Sequence, residues 1–151
     1  MGTAVTIEDR VRHLEDLEAI RDLFQAYRTR LDSRDLVGYS QLFTDDAEWH
    51  GGTMRATGGP AGILAMLQGR YTQGEPADDR HLVVNPVIDV DGDQARATST
   101  YVVVGRTAEG SPELRMVGEY VDEIRRGEDG RWRFARRQAR VDIPPRGLLE
   151  S

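Results

Sequence analysis

The sequence predicts an α+β fold in which N-terminal helices cover one face of a curved antiparallel sheet. Three helix-like segments come before a series of long strand-like segments. Two of the links between those strands are Asp-Gly dipeptides, Asp91-Gly92 and Asp129-Gly130, which are typical of hairpin turns. A chain of 151 residues is expected to form one domain with a substantial core. We expect the sheet to curl around the first helix and leave a cavity between them.

The first helix is predicted from apolar residues that recur mostly every three or four positions between Ile7 and Leu31. Thr6 is a suitable N-cap, with Asp9 three residues later as the acidic half of a capping box. The apolar stripe is wide enough to lie on a sheet, and most of its residues are expected in the core. After a break at residues 32–34, Asp35 is the expected N-cap of a short second helix.

The remaining elements follow from local composition. Residues 44–46 are expected to turn into a short strand from Ala47 to His50, followed by a glycine-rich loop and a helix from Pro60 to Tyr71. Four long strands are predicted, at 80–90, 94–105, 113–126 and 131–142. These elements define a domain at 1–143, and residues 144–151, which include two prolines with Ile143 just before them, are expected to be a C-terminal tail.

Composition excludes several classes of function. The net charge of −6 argues against a nucleic-acid partner, and no apolar run is long enough for a membrane span. The N-terminus lacks a secretory signal pattern, and the chain has no cysteine, so we expect a cytoplasmic protein. All 20 basic residues are arginine, which is typical of a GC-rich bacterial genome and excludes lysine Schiff-base chemistry.

Metal and cofactor binding are not expected. The three histidines, His13, His50 and His81, lie far apart, and neither an HExxH nor an EF-hand pattern occurs. The phosphate-binding glycine patterns of nucleotide-binding folds are absent as well. We therefore predict no metal and no cofactor.

Five short motifs, in their order and spacing, resemble the SnoaL-like branch of the nuclear-transport-factor-2-like superfamily. The resemblance covers roughly residues 10–142. It implies a cone-shaped, cystatin-like α+β barrel around a pocket, without fixing the function. The motifs are Ile20-Arg-Asp-Leu-Phe24 followed by Tyr27, Leu31-Asp-Ser-Arg-Asp35, Phe43-Thr-Asp-Asp-Ala-Glu-Trp49, His81-Leu-Val-Val-Asn85 and Gly130-Arg-Trp-Arg-Phe134.

Scytalone dehydratase and hexachlorocyclohexane dehydrochlorinase, which this chain resembles, use an Asp–His pair, and Asp32 and His81 occupy the matching positions. The chain departs from both. Leu31 stands where the dehydratase has a tyrosine, the dehydratase's second histidine falls near Val102 or Val103, and the dehydrochlorinase's lysine is missing. Ketosteroid isomerase is a looser match, because its catalytic base aligns close to Gly51.

These positions imply acid–base chemistry. An imidazole oriented by a carboxylate can remove one proton and return one to a leaving group, and its pKa of about 6.5 suits neutral pH. The leading hypothesis is a cofactor-independent lyase, of the dehydratase type, acting on a hydrophobic cyclic oxygenated small molecule through His81 and Asp32. A polyketide-type cyclase or isomerase, and a non-catalytic binding protein, remain alternatives. Asp32 as a turn cap and His81 as a wall residue are the structural alternatives.

Further candidates for the pocket are aromatic or polar. Trp49 and His50 point to opposite faces of a strand, so at most one of them lines the cavity from that strand. Alternation places Asn85 on the face of His81, unless it forms a bulge before Pro86. A homo-dimer or homo-trimer is expected, because the open sheet face is apolar. The predicted substrate-binding residues are Tyr27, Trp49, His50, Asn85, Tyr101, Tyr120 and Arg140, the last sharing a face with Trp132 and Phe134.

Overall fold

The computed structural model describes residues 5–143, which form three helices and one six-stranded sheet with the strand order β2-β1-β6-β5-β4-β3. The predicted α+β class, with N-terminal helices on a curved sheet, is confirmed. The predicted tail at 144–151 lies outside the described residues. The elements in chain order are α1 (Ile7–Asp32), α2 (Leu36–Ser40), β1 (Phe43–Gly51), β2 (Met54–Ala56), α3 (Gly59–Gln68), β3 (Arg80–Asp91), β4 (Gln94–Arg106), β5 (Pro112–Arg126) and β6 (Trp132–Ile143).

The four long strands form the predicted antiparallel meander, β3 to β6. One pairing differs from the all-antiparallel expectation, because β1 lies parallel to β6. Parallel neighbours need a long connection between them, and here α3 and four strands separate β1 from β6. The short strand is also longer than predicted: the expected turn at residues 44–46 lies inside β1, and β2 forms within the expected glycine-rich loop.

Helix α1 begins with the predicted capping box. The Asp9 amide donates to Thr6 Oγ1 over 3.1 Å, and the Thr6 amide donates to Asp9 Oδ2 over 3.0 Å. The expectation that most of the apolar stripe is core holds only for its second half. Ile7, Val11 and Leu14 are exposed, because the first turns of α1 extend beyond the sheet, whereas Ile20, Leu23, Phe24, Tyr27 and Leu31 are buried.

The point where α1 meets the sheet is fixed by one carboxylate. Asp16 accepts a hydrogen bond from Arg126 Nη1 over 2.6 Å and one from Trp132 Nε1 over 3.2 Å, and its side chain is 12% exposed. Arg126 also lies 5.0 Å from the Trp132 ring centroid. Asp16 therefore ties the helix to β5 and β6 at the end of the sheet opposite to Asp32 and His81.

We expect Asp16→Ala to lower the free energy of unfolding by about 1–3 kcal/mol, because the buried indole N–H of Trp132 loses its acceptor. Urea denaturation monitored by tryptophan fluorescence measures this change. Glu18→Ala is the matched control, since its ion pair with Arg21 is exposed and should contribute little. Equal effects of the two substitutions would contradict the anchoring role.

Two bulges in the sheet change which side chains face the helices. In β6, Phe134 pairs with Ile124 but Arg136 pairs with Glu123, so Ala135 is an extra residue. An inserted residue reverses the alternation beyond it. The prediction that Arg140 shares a face with Trp132 and Phe134 is therefore wrong: Arg140 is exposed and lies 3.7 Å from Glu119 on the outer face.

The reversal brings Arg137 to the inner face, where it is 0% exposed. In β3 the register shifts between Val84 and Val87. Asn85 lies in this bulge with a φ of 53° and an exposed side chain, as the bulge alternative anticipated.

Candidate functional site

Asp32 and His81 are in direct contact. His81 Nδ1 lies 2.9 Å from Asp32 Oδ1, and the His81 amide donates to the same carboxylate over 3.0 Å to Oδ1 and 3.3 Å to Oδ2. The His81 side chain is 10% exposed and the Asp32 side chain is 8% exposed. Asp32 is therefore held by both the backbone and the ring of His81.

The fold brings these residues together from opposite ends of two elements. Asp32 is the last residue of α1 and His81 is the second residue of β3, 49 positions later. The apolar face of α1 packs along the inner face of the sheet, which sets the end of the helix beside the start of the strand. Capping of backbone amides and contact with the ring are thus both present at Asp32.

The contact defines the protonation of the ring. A neutral imidazole next to a carboxylate carries its proton on the nitrogen that faces the carboxylate, so Nδ1–H donates to Asp32 and Nε2 has a free lone pair. Within residues 5–143, Nε2 has no hydrogen-bond partner in the protein. The arrangement can therefore accept a proton at Nε2 and stabilise the resulting imidazolium.

A second acidic residue, Asp79, completes a charged cluster around this pair. One ligand atom from each of Asp32, Asp79 and His81 lies within 4.8 Å of the others, a spacing compatible with a metal ion. However, Arg34 Nη2 donates to Asp79 Oδ1 over 3.0 Å, and His81 Nδ1 faces Asp32. The guanidinium thus balances the second carboxylate, and the four side chains satisfy one another.

The inner face next to α1 is filled by aromatic rings around one cation. The Arg137 guanidinium lies 3.9 Å from the ring centroid of Tyr120 and 4.1 Å from those of Tyr27 and Phe134. Asp122 binds it through two hydrogen bonds, of 2.8 Å from Nε and 2.7 Å from Nη2. Arg137 Nη1 is buried without a hydrogen-bond partner. Tyr101 stacks on Tyr120 with a centroid distance of 4.5 Å.

Sequence reasoning missed Arg137 and Asp122. Burial is the largest influence on both pKa values. It raises the pKa of the Asp122 carboxyl. Burial by itself would lower the pKa of Arg137, but the charge and hydrogen bonds of Asp122 outweigh that effect and raise it. Strict alternation along β6 pointed to Arg140, and only the Ala135 bulge exchanges one arginine for the other. A signal for a partner was available in Asp122, which alternates along β5 with the buried Tyr120 and Ile124.

Burial also keeps Tyr39, Tyr101 and Tyr120 uncharged near neutral pH. It raises the pKa of Tyr101 to about 12, and it raises the pKa values of Tyr39 and Tyr120 well above 10, with Tyr27 as a further cause. These hydroxyls are therefore hydrogen-bonding groups near neutral pH and not bases.

These shifts predict unfolding in alkali. A phenol whose pKa is raised on folding leaves stability unaffected below its unfolded pKa of about 10 and reduces it as the pH rises through the folded pKa. We expect the free energy of unfolding to fall between pH 10 and about 12, with Tyr101→Phe less sensitive than the wild type in that range. Urea titrations at several pH values check this, and equal pH dependence in both proteins would contradict it.

The other predicted pocket residues divide between the two faces. Trp49 is buried on the inner face, and its Nε1 donates to the Tyr27 hydroxyl over 3.4 Å. His50 points to the opposite face, with Nε2 3.3 Å from Glu48 Oε2. The inner set is thus Tyr27, Trp49, Tyr101 and Tyr120, whereas His50, Asn85 and Arg140 lie away from it.

Two large surface grooves lie away from Asp32 and His81. A groove of about 680 Å³ crosses the outer face of the sheet, and one of about 650 Å³ lies beside the β5–β6 turn. The first is lined mainly by charged residues, among them Asp89, Arg96 and Glu123. Sites for hydrophobic ligands are lined mostly by apolar groups, so the chemistry of His81 and not groove size indicates the candidate site.

The family model described as a SnoaL-like domain matches residues 12–138. The chain belongs to the SnoaL-like family. Within this SnoaL-like chain's described residues, no helix is both long and apolar enough to cross a membrane. A search of curated protein sequences found no match.

Solved structures agree with the SnoaL-like assignment. An NTF2-like protein with a cystatin-like fold from Novosphingobium aromaticivorans is 30% identical, with a TM-score of 0.81, covering 93% of this chain and 92% of that one. Rv3472, a protein of unknown function from Mycobacterium tuberculosis, is 27% identical, with a TM-score of 0.76 and coverages of 93% and 78%. A candidate scytalone dehydratase from N. aromaticivorans is 26% identical, with a TM-score of 0.71 and coverages of 89% and 95%.

Proposed function

We propose that this SnoaL-like protein is a cofactor-independent lyase that removes water from a hydrophobic, cyclic, oxygenated small molecule. The observation that carries the proposal is the 2.9 Å contact between His81 Nδ1 and Asp32 Oδ1, with Nε2 unused by any other residue in the described range 5–143. The likeness to a candidate scytalone dehydratase supports the same class of reaction. His81 acts as the acid–base group and Asp32 orients it.

The elimination balances with one imidazole. Nε2 of His81 removes a proton from a carbon next to an activating group, and Asp32 stabilises the imidazolium that forms. The electron pair of the broken C–H bond forms the new double bond as the C–O bond breaks. The Nε2 proton then passes to the departing hydroxyl, which leaves as water, and His81 returns to its neutral state. Both groups must leave from the same face of the substrate, since one ring serves both.

Unused polar atoms on the inner face support an oxygenated substrate. Ser99 Oγ and Arg137 Nη1 are buried without hydrogen-bond partners in the part of the chain that the structure describes. Ser99 on β4 pairs with Tyr120 of β5. Arg137 on β6 pairs with Asp122, which is the next residue of β5 on the same face. Buried polar atoms of this kind are commonly satisfied by water or ligand. We assign to Arg137 the role that the sequence suggested for Arg140, neutralising an enolate or an acidic group.

A polyketide-type cyclase or isomerase is the second candidate function, and a specific observation favours it. Val103, near the expected position of the dehydratase's second histidine, is buried and pairs with His81 across the sheet. One acid–base group is sufficient for isomerisation, whereas the dehydratase uses two histidines. A non-catalytic binding protein would use the same inner face without proton transfer.

Mass spectrometry of reaction products separates these functions. The purified protein is incubated with a panel of hydroxylated cyclic ketones, with His81→Gln as the matched control. Loss of one water from a substrate by the wild type alone supports the lyase. A product of unchanged mass that elutes differently indicates the isomerase or cyclase, and overturns the lyase. Retention of a ligand by both proteins, without conversion, indicates the binding protein and overturns both enzymes.

We also propose a cytoplasmic homo-oligomer that associates through the outer sheet face. Four aliphatic residues, one on each strand from β3 to β6, form a row in which each is the cross-strand partner of the next. They are Leu82, Val102, Val117 and Ile143. Leu82 is 42% exposed and Ile143 57% exposed, although both are large and apolar. Burial of such a row between copies is favourable. Light scattering gives the mass, distinguishing dimer from trimer, and Val102→Asp should produce monomers. Fractionation of cells tests the location.

A further inference from the structure

We infer that Arg34 is a positioning residue that holds Asp32 and His81 in the geometry for proton transfer. The inference rests on the proposed acid–base function of that pair. It adds a residue that contacts neither the His81 ring nor the proposed substrate. Arg34 is 5% exposed and lies at the corner between α1 and α2, two residues after Asp32.

The guanidinium of Arg34 connects the backbone next to Asp32 with a side chain close to His81 in the sequence. Nη1 donates to the Leu31 carbonyl over 2.9 Å, directly before Asp32. Nη2 donates to Asp79 Oδ1 over 3.0 Å, two residues before His81. One planar group therefore spans the end of the helix and the start of the strand, a geometry that two separate N–H directions of arginine permit.

Two further contacts fix the orientation of that guanidinium. Its Cζ lies 4.0 Å from the centroid of the Tyr71 ring, on the segment that leads to β3. The Arg34 carbonyl accepts a hydrogen bond from the Gly74 amide over 2.9 Å on the same segment. Side chain and backbone of Arg34 thus bind the 71–79 segment from the helical corner.

The backbone of Arg34 is itself unusual. Its φ of 56° lies in the left-handed region, which costs a non-glycine residue energy unless the surroundings hold it there. Glycine or asparagine would adopt this conformation more readily. An arginine at this position indicates that its side-chain contacts compensate for the strain.

Charge balance gives Arg34 a second effect on the pair. The charged groups next to His81 are Asp32 from α1 and Asp79 on the approach to β3, and Arg34 at the corner is the partner of Asp79. Without the guanidinium, the Asp79 carboxylate loses its partner while remaining within the 4.8 Å cluster. It would then compete with Asp32 as the acceptor of the ring N–H, and a second arrangement of the ring, with the proton on Nε2 facing Asp79, would become populated.

Nitrogen NMR of the histidine rings tests this without any substrate. The chain has only three histidines, so the three rings can be assigned by substitution in protein labelled with ¹⁵N-histidine. At alkaline pH, where imidazoles are neutral, the wild-type His81 should give one tautomer, with the proton on Nδ1. Arg34→Met retains the packing on Tyr71 and removes the fork, and we expect a mixture of tautomers for His81.

A matched control uses the neighbouring ion pair. Arg115 Nη2, on β5, lies 3.2 Å from Asp78 Oδ2, and Asp78 is an exposed residue of the 71–79 segment. Arg115→Met should leave the His81 spectrum unchanged. Arg34→Lys retains a charge for Asp79 but cannot bind both sites as a fork, so an intermediate tautomer ratio is expected. It also serves if Arg34→Met does not fold. A folded Arg34→Met or Arg34→Lys protein with the wild-type tautomer would overturn the inference.

Kinetics on a substrate from the product screen give an independent reading. A misplaced acid–base group should lower kcat by on the order of 10-fold or more while KM changes little. An unchanged kcat in Arg34→Met would count against positioning. If no substrate is converted but the tautomer still depends on Arg34, the positioning role stands and the lyase proposal fails.

Discussion

Asp32→Asn is expected to lower turnover by about 10²–10⁴-fold while the fold is retained. Asparagine has the shape of aspartate, and when its NH₂ group takes the place of Oδ1, its oxygen in the place of Oδ2 can still accept the hydrogen bond that the His81 amide donates. Its NH₂ group, however, donates to the ring at Nδ1, which places the imidazole proton on Nε2. The nitrogen that should act as the base is then already protonated. Steady-state kinetics and circular dichroism of both proteins measure the two effects.

Asp35→Asn provides the matched control. This substitution removes the same charge as Asp32→Asn, three residues further along the chain. The Asp35 carboxylate caps α2 by accepting a hydrogen bond from the Gly38 amide over 3.0 Å. Asparagine is an equally good cap, so neither stability nor rate should change greatly. Unfolding of Asp32→Asn would make Asp32 a structural cap. Full activity in a folded Asp32→Asn protein would remove it from the mechanism.

Asp122→Ala is expected to destabilise the protein by about 3–5 kcal/mol, because it leaves a buried guanidinium without its counter-ion. Arg137 and Asp122 are both fully buried at their side chains, and two hydrogen bonds of 2.7 and 2.8 Å join them. The surrounding aromatic faces attract the cation but accept no hydrogen bond comparable to that of the carboxylate. Urea denaturation at neutral pH gives the change in free energy of unfolding.

Replacing both partners separates stability from function. Asp122→Leu combined with Arg137→Met should recover most of the stability, because apolar residues of similar volume replace a buried ion pair without leaving a charge. The proposed role of Arg137 in binding an oxygenated substrate would still be lost, so KM or affinity should remain impaired. A double variant as unstable as Asp122→Ala would show that packing, and not the unpaired charge, causes the loss.

The elements with strong local signals were predictable. The capping box at Thr6 and Asp9, the Asp35 cap of α2 and the Asp-Gly turns depend on residues a few positions apart, so the sequence contains the whole interaction. The turn expected at residues 44–46 was wrong because pairing with β6 continues β1 back to Phe43. Long-range pairing of this kind overrides local turn preference.

The candidate site was partly predictable. Family resemblance and position indicated Asp32 and His81, and the inner positions of Tyr27, Trp49, Tyr101 and Tyr120 agree with alternation. Arg140 and Asn85 fail for one reason. Each follows or occupies a bulge, and a single inserted residue exchanges the faces of a strand without any clear mark in composition.

The α+β class, the order of the helices and long strands, and the family were all readable in the amino-acid sequence, because periodicity, caps and turns are local properties of the chain. Three features depend on the folded arrangement: Arg137 and not Arg140 enters the interior, Arg34 links the Leu31 carbonyl to the Asp79 carboxylate, and Asp79 lies beside Asp32 and His81. These depend on bulges and on contacts between residues tens of positions apart. The free-energy costs of these bulges and the free-energy gains of these contacts arise only when the chain has folded.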